Sequence, residues 1–162
     1  IKHMIESALT EKHKILIFSQ FVKHLDIVRE YVDEQGLQYS YLDGSTKDRQ
    51  NQVDRFQNDD GIRLFLISLK AGGLGLNLTK ADYVFLLDPW WNPAIEAQAV
   101  DRAHRIGQKK TVFTYKFITK NTVEEKILAL QKNKMKLASD LITTEESFIK
   151  KLSTDDIYDL LN

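Results

Sequence analysis

An α/β fold built on a mainly parallel sheet follows from three features of the chain. Short β-branched and aromatic runs recur along it, helix-period segments separate them, and capping or turn residues stand at the junctions. The opening Ile1–Leu9 reads as an amphipathic helix, so the chain begins in mid-architecture, as an excised piece would. Ile15–Phe18 is the first apolar run, short enough for a strand buried on both faces. Ser19 then offers a helix cap, and Phe21, Leu25, Val28 and Val32 recur at helical spacing. Tyr39–Leu42 reads as an edge-like strand, followed by the capping residues Ser45 and Thr46 and by a helix carrying Val53 and Phe56. Leu64–Leu69 and Tyr83–Leu87 are further buried strands. Asn92-Pro93 opens a helix expected to run to Arg105, in a segment where Ala99, Ala103 and Ile106 recur at helical spacing and Ala99, Val100 and Ala103 are small enough to pack against the sheet. Val112–Ile118, with interruptions, is the last strand of the same buried type. Thr122 and Glu125 form a capping-box pattern ahead of Val123, Ile127, Leu130, Leu137 and Leu141, which predicts a helix of about 20 residues and roughly 30 Å. Strand-helix alternation of this kind requires right-handed crossovers. Thr143–Ser147 is the one plausible seam.

The 162 residues amount to one domain, and at this length a single core needs no disulfide or metal. The absence of cysteine removes zinc fingers, thiol nucleophiles and iron–sulfur sites and fits a reducing compartment. No apolar run approaches 18 residues and no basic-then-apolar leader opens the chain, so neither a membrane span nor a signal peptide is expected. The expected location is intracellular: cytoplasmic, at the nucleoid, in a bacterium, and nuclear in a eukaryote. The four histidines, 3, 13, 24 and 104, lack metal spacing, and no Ser-His-Asp arrangement stands out, so no metal ligand and no covalent nucleophile is assigned. Basic and acidic residues balance at 23 each, yet residues 101–136 hold ten Lys/Arg against three acids and residues 140–162 hold six acids against Lys150 and Lys151. A solvated face explains such a run; so does a phosphate-facing edge.

Candidate chemistry gathers where an open parallel sheet binds ligands, beyond the carboxyl ends of its strands. Leu69-Lys70-Ala71-Gly72-Gly73-Leu74-Gly75-Leu76-Asn77 packs three glycines into four positions. Backbone N–H groups there can approach an anion closely, although a tight turn needing positive φ uses glycine in the same way. G-x-G-x-x-G is absent, which argues against a Rossmann cofactor. Gln98, Arg102 and Arg105 fall within one stripe of the helix predicted from Asn92, facing outward at the ligand edge, and two guanidiniums one turn apart suit a triphosphate. Ordinary surface pairing, for instance with Asp101 or Glu96, is the other reading of such a pair. No G-x-x-x-x-G-K-[ST] occurs, and the only Asp-Glu, Asp33-Glu34, ends a helix and not an apolar strand. The chain holds arginines for a triphosphate but no cradle for one. Trp90 and Trp91, in a Pro-bounded loop, cannot both enter the core easily, and an exposed one could stack on a base or wedge a groove.

Lys14–Phe21 (KILIFSQF), Tyr41–Thr46 (YLDGST), Ser68–Thr79 (SLKAGGLGLNLT), Asp88–Pro93 (DPWWNP) and Gln98–Gln108 (QAVDRAHRIGQ), in this order, resemble the C-terminal helicase lobe of the Swi/Snf-family ATPases, DNA translocases of helicase superfamily two. The likeness runs from about Lys14 to Leu141 and is closest to bacterial members. It implies a three-layer RecA-like lobe over residues 1–121 and a helical brace with a C-terminal tail, packed on or beside the lobe, over 122–162. The resemblance makes Arg102 and Arg105 arginine fingers, puts Gln98 near the γ-phosphate, and lines the nucleotide with Gly73, Gly75 and Asn77. It gives DNA contacts to Ser19, Gln20, Gly44, Ser45, Ser68, Lys70 and Trp91, with Trp90 an additional aromatic. ATP with magnesium would be held mainly by an N-terminal lobe not included here. The implied partners are double-stranded DNA, that N-terminal lobe, and a protein–DNA complex as remodelling target. The implied activity is DNA-dependent ATP hydrolysis by the complete protein, with these 162 residues inactive alone. A non-catalytic helicase-like lobe serving as a DNA- or protein-docking platform is the alternative; decay of the arginine pair or the glycine loop would mark it, and neither is seen. A phosphorylated receiver domain would need an acidic pair after the first strand, where Phe18-Ser19-Gln20 stands.

Overall fold

A computed structural model describes residues 1–71 and 76–135. In chain order it contains α1 (Lys2–Thr10), β1 (Ile15–Ser19), α2 (Val22–Glu34), β2 (Tyr39–Leu42), α3 (Arg49–Asn58), β3 (Leu64–Ser68), β4 (Tyr83–Leu86), α4 (Pro93–Asp101), β5 (Phe113–Lys116) and α5 (Val123–Met135). The strands form one sheet in the order β2-β3-β1-β4-β5, and every neighbouring pair is parallel. No helix among the described residues is long and apolar enough to cross a membrane.

Alternation along each strand divides the core into two layers. Leu16, Phe18, Phe65, Ile67, Val84 and Leu86 face α3 and α4 and meet Val53, Phe56, Ala99 and Ala103. Ile15, Ile17, Leu64, Leu66 and Phe85 face α1 and α2 and meet Ile5, Leu25, Val28 and Val32. Each central strand is therefore apolar on both faces, which is why β1 and β3 read as continuous hydrophobic runs.

Several expectations are corrected. The last strand is not buried: Phe113, Thr114 and Tyr115 are exposed, because β5 lies at the sheet edge beside β4. The helix after Asn92 stops at Asp101, four residues short of Arg105, so the helical spacing does not reach Ile106, which is fully exposed, while Ala99, Val100 and Ala103 pack against the core. Asn92 does cap it, Oδ1 accepting the Ala94 N–H at 3.0 Å with Pro93 in the first turn. Ser19 caps nothing, since α2 begins after Phe21 without a side-chain cap. Asp48, not Ser45 or Thr46, caps α3, its Oδ1 accepting the Asn51 N–H at 3.1 Å. At α5 the Glu125 carboxylate accepts the Asn121 N–H and Thr122 Oγ1 accepts the Glu124 N–H, a capping pair offset from the simple box. The described part of this helix is 13 residues; Leu137, Leu141, the seam and the acidic tail lie outside the described residues.

Candidate functional site

The sheet sorts the candidate residues onto two edges. Ser19 and Ser68 end β1 and β3, and Gln20, Gly44, Ser45, Lys70 and Trp91 follow the carboxyl ends of β1, β2, β3 and β4. Arg102 and Arg105 do not. A crossover helix that starts at the carboxyl edge must run back, so the end of α4 is level with the entry to β4. There the Arg102 carbonyl accepts the Leu78 N–H at 2.9 Å, five residues before Tyr83. The expected outward stripe at the ligand edge is thus replaced by a turn at the far end of the helix.

This turn has a definite construction. Arg102 and Ala103 donate their N–H groups to Ala99 and Val100, three residues back, tightening the last turn and ending α4. Gly107 takes φ +107, a left-handed conformation that a side chain would strain. Gln108 then reaches back, its amide donating to the carbonyls of Ala81 at 2.7 Å and Ala103 at 3.1 Å. Gln108 and Gly107 had no role assigned from sequence; the clue was their place at the end of the DRAHRIGQ run.

An open cleft of about 750 Å³ results, walled by Gln98, Asp101, Arg102, His104, Arg105 and Asn77. Gln98, Arg105 and Asn77 are exposed, whereas Arg102 is 9% exposed and its Nε lacks any hydrogen-bond partner. Arg105 Nη1 lies 3.5 Å from the Leu76 carbonyl. Burial pushes the Arg102 pKa down and the neighbouring Arg105 charge adds to this, against a smaller opposing effect of Asp101. Two guanidiniums, one of them desolvated and under-bonded, create a local demand for a multiply charged anion. Glu96, one carboxylate that could have neutralised them, is instead occupied by Lys116, Gln131 and the Trp90 N–H. Among the described residues no group of three or more His, Asp or Glu could hold a metal ion. Gly73 and Gly75 lie outside the described residues.

At the carboxyl edge one residue not singled out from sequence, Asp88, organises the exits of β1 and β4. It is buried, accepts the Ser19 hydroxyl and the Gln20 N–H, and lies 3.4 Å from His24 Nδ1. Ser19 is fully buried with its hydroxyl committed to Asp88 and the Phe21 carbonyl, so the surface of this exit is Gln20, whose amide donates to Pro89. Ser68 is buried as well, while Lys70 is exposed. After β2, Asp43 Oδ1 accepts the Ser45 N–H at 2.8 Å and the Ser45 and Thr46 hydroxyls, and the Ser45 hydroxyl bond is the main cause of its lowered pKa. Gly44 between them has ordinary φ, and a Cβ there would meet nothing within 4 Å. Of the two tryptophans, Trp90 is core at 2% exposure and Trp91 is half-buried.

One all-parallel sheet with helices on both faces is a RecA-like architecture, and an arginine cleft lies at the far end of its last crossover helix. Residues 1–107 match the family described as the helicase conserved C-terminal domain, and the chain belongs to that family. The chain is 38% identical to the Sulfolobus solfataricus SWI2/SNF2 ATPase core domain, with a TM-score of 0.76 over 98% of this chain and 33% of that one. An uncharacterized ATP-dependent helicase of Mycoplasma pneumoniae is 42% identical over 156 residues, covering 95% of this chain and 15% of that protein. The DNA repair protein rad8 of Schizosaccharomyces pombe is 46% identical over 127 residues, covering 77% of this chain and 11% of that protein. The chain thus spans a small fraction of these relatives, and the expected leaning toward bacterial members is not reproduced, since the yeast protein is the more identical of these two.

Proposed function

We propose that this chain is the second motor lobe of an ATP-dependent translocase on double-stranded DNA. The observation that carries the reading is Arg102: a buried guanidinium with an unbonded Nε, beside Arg105, in an open cleft. ATP, as substrate, would enter held chiefly by an N-terminal lobe, together with its magnesium. Arg102 and Arg105 then meet the phosphates and offset the charge that develops during transfer, with Gln98 beside the γ-phosphate and Gly73, Gly75 and Asn77 along the nucleotide. Gln20, Gly44, Ser45, Lys70 and Trp91 would hold the DNA backbone at the carboxyl edge; Ser19 and Ser68, expected from the resemblance to touch it as well, are buried and would act only by shaping the strand exits. The Gly44 position supports this: neither φ nor packing within the chain demands glycine, whereas close approach of a phosphate does. Closing on ATP and opening after hydrolysis would advance the grip along the duplex or along a protein–DNA complex. Residues 1–121 form the lobe in this reading, and 122–162 a brace toward the rest of the protein.

The test is Arg105→Ala in the intact two-lobed enzyme. An arginine of this kind is worth about 10³–10⁵ in turnover, so DNA-stimulated hydrolysis should vanish while DNA affinity stays within about twofold. Full ATPase activity in the variant would refute the assignment.

A further inference from the structure

The amino edge of the sheet carries a second charged feature that the motor reading leaves unused. All five strands are parallel and are entered from one edge, so the segments leading into β1, β3, β4 and β5 converge there. They bring Lys12, Lys14, Arg63, Lys80, Lys109 and Lys110 around a groove of about 540 Å³ in which Asp60 is the one acid on the described walls. Part of the basic run noted in the sequence, Lys109-Lys110, thus falls in this groove and not in the arginine cleft.

Three of these cations build the groove. Lys14 Nζ donates to the carbonyls of Phe56 and Asp59, Arg63 Nε donates to the Asp60 carbonyl at 3.1 Å, and Lys110 Nζ donates to buried Asp82 at 2.9 Å. The other three, Lys12, Lys80 and Lys109, are exposed, and no hydrogen bond or ion pair engages their ammonium groups among the described residues. Lys12 also sits at φ 65, a left-handed conformation in which glycine or asparagine would cost less. Gln108 positions the neighbouring pair, its Oε1 accepting the Lys110 N–H at 2.8 Å while its amide is fixed to Ala81 and Ala103.

The lining selects the ligand. No aromatic or large aliphatic side chain stands on these walls. A docked protein segment normally needs an apolar anchor, and a bound base needs a stacking surface. What remains is point charges on flexible stems, which suit a run of phosphates contacted without regard to sequence. We infer that this groove is a second duplex site, holding the phosphate backbone of a DNA segment other than the one at the carboxyl edge. The inference rests on the motor reading only in naming DNA as the polyanion.

The test uses the 162-residue chain and a fluorescein-labelled 30-bp duplex. Lys12→Asn, Lys80→Glu and Lys109→Glu are combined; all three positions are exposed, and an unchanged thermal melt confirms folding. At about 0.9 per phosphate contact, the slope of log affinity against log salt should become shallower by about 2 to 3. The wild-type chain should also co-capture the fluorescein duplex on an immobilised second duplex, and the triple variant should not. An unchanged salt slope, or co-capture that survives the triple variant, overturns the site. So does a variant that loses binding to polyglutamate while keeping its affinity for DNA. Lys70→Ala with Ser45→Ala reports separately on the carboxyl edge: no effect there would damage the motor reading and leave the groove standing if the triple variant still fails.

Discussion

Asp82 and Asp88 are buried carboxylates at opposite ends of β4, and each ties that strand to the matching end of β1. Asp82 accepts the Lys14 N–H at 3.0 Å and bonds His13 and Lys110, both at 2.9 Å. Burial by itself would push its pKa up; the bonds from His13, Lys110 and Lys14 outweigh this and hold it below the ordinary carboxylate value. A depressed folded-state pKa contributes stability that is fully present above the unfolded value, near pH 4, and is lost as pH falls through the folded value. Asp82→Asn should therefore flatten the acid limb of a urea-derived stability profile below about pH 4 and cost about 1–3 kcal/mol at neutral pH. A variant with the wild-type acid limb would show that these bonds do not count. Asp88 and Gln108 show why residue roles were only partly legible. Their types and positions stand in the sequence, but a deciding partner of each is distant, Ser19 at 69 residues from Asp88 and Ala81 at 27 residues from Gln108.

Elements were more legible than the contacts between them. Strand and helix order followed from periodicity, a local property, whereas two helix starts were misplaced because the Ser19 and Ser45 hydroxyls bond Asp88 and Asp43, not a helix N-terminus. β5 was misjudged for a related reason: its aromatic composition suits a central strand, but an edge position exposes Phe113 and Tyr115. Ring contacts of Phe113, Tyr115 and Phe117 with Tyr83 and Phe85 join this edge to β4, and a polar network joins it to the helices. Buried Glu96 on α4 accepts the Trp90 N–H and bonds Lys116 on β5 and Gln131 on α5. Glu96→Ala would orphan the Trp90 N–H and leave Lys116 without its carboxylate, with only Gln131 Oε1 at 3.4 Å to accept from it, at a cost of about 2–3 kcal/mol. Adding Lys116→Met should then cost less than in the wild type, by at least about 1 kcal/mol in a denaturation cycle. Strict additivity would mean that α5 docks without this network.

At the scale of the whole molecule, the parallel sheet separates two kinds of surface that the sequence runs together. Strand exits carry the proposed DNA set, and strand entries carry the arginine turn and the lysine groove, about a strand length apart. The purified 162 residues should hydrolyse no ATP above the buffer blank in the presence of magnesium and DNA, because in the proposed division of labour the phosphates are cradled elsewhere. Measurable magnesium-dependent turnover from this chain alone would contradict that division.

Periodicity and the ordered runs from KILIFSQF to DRAHRIGQ were enough to establish the fold class, the parallel sheet and the family, since strand and helix periods are local and the runs are read along the chain without knowing which segments meet. Folding in three dimensions alone decided that α4 stops before Arg105, that Trp90 enters the core while Trp91 stays half-buried, and that six basic residues from four segments share one groove. The reason is that burial and charge proximity depend on which distant segments meet, and only the crossover connections of the sheet determine those meetings.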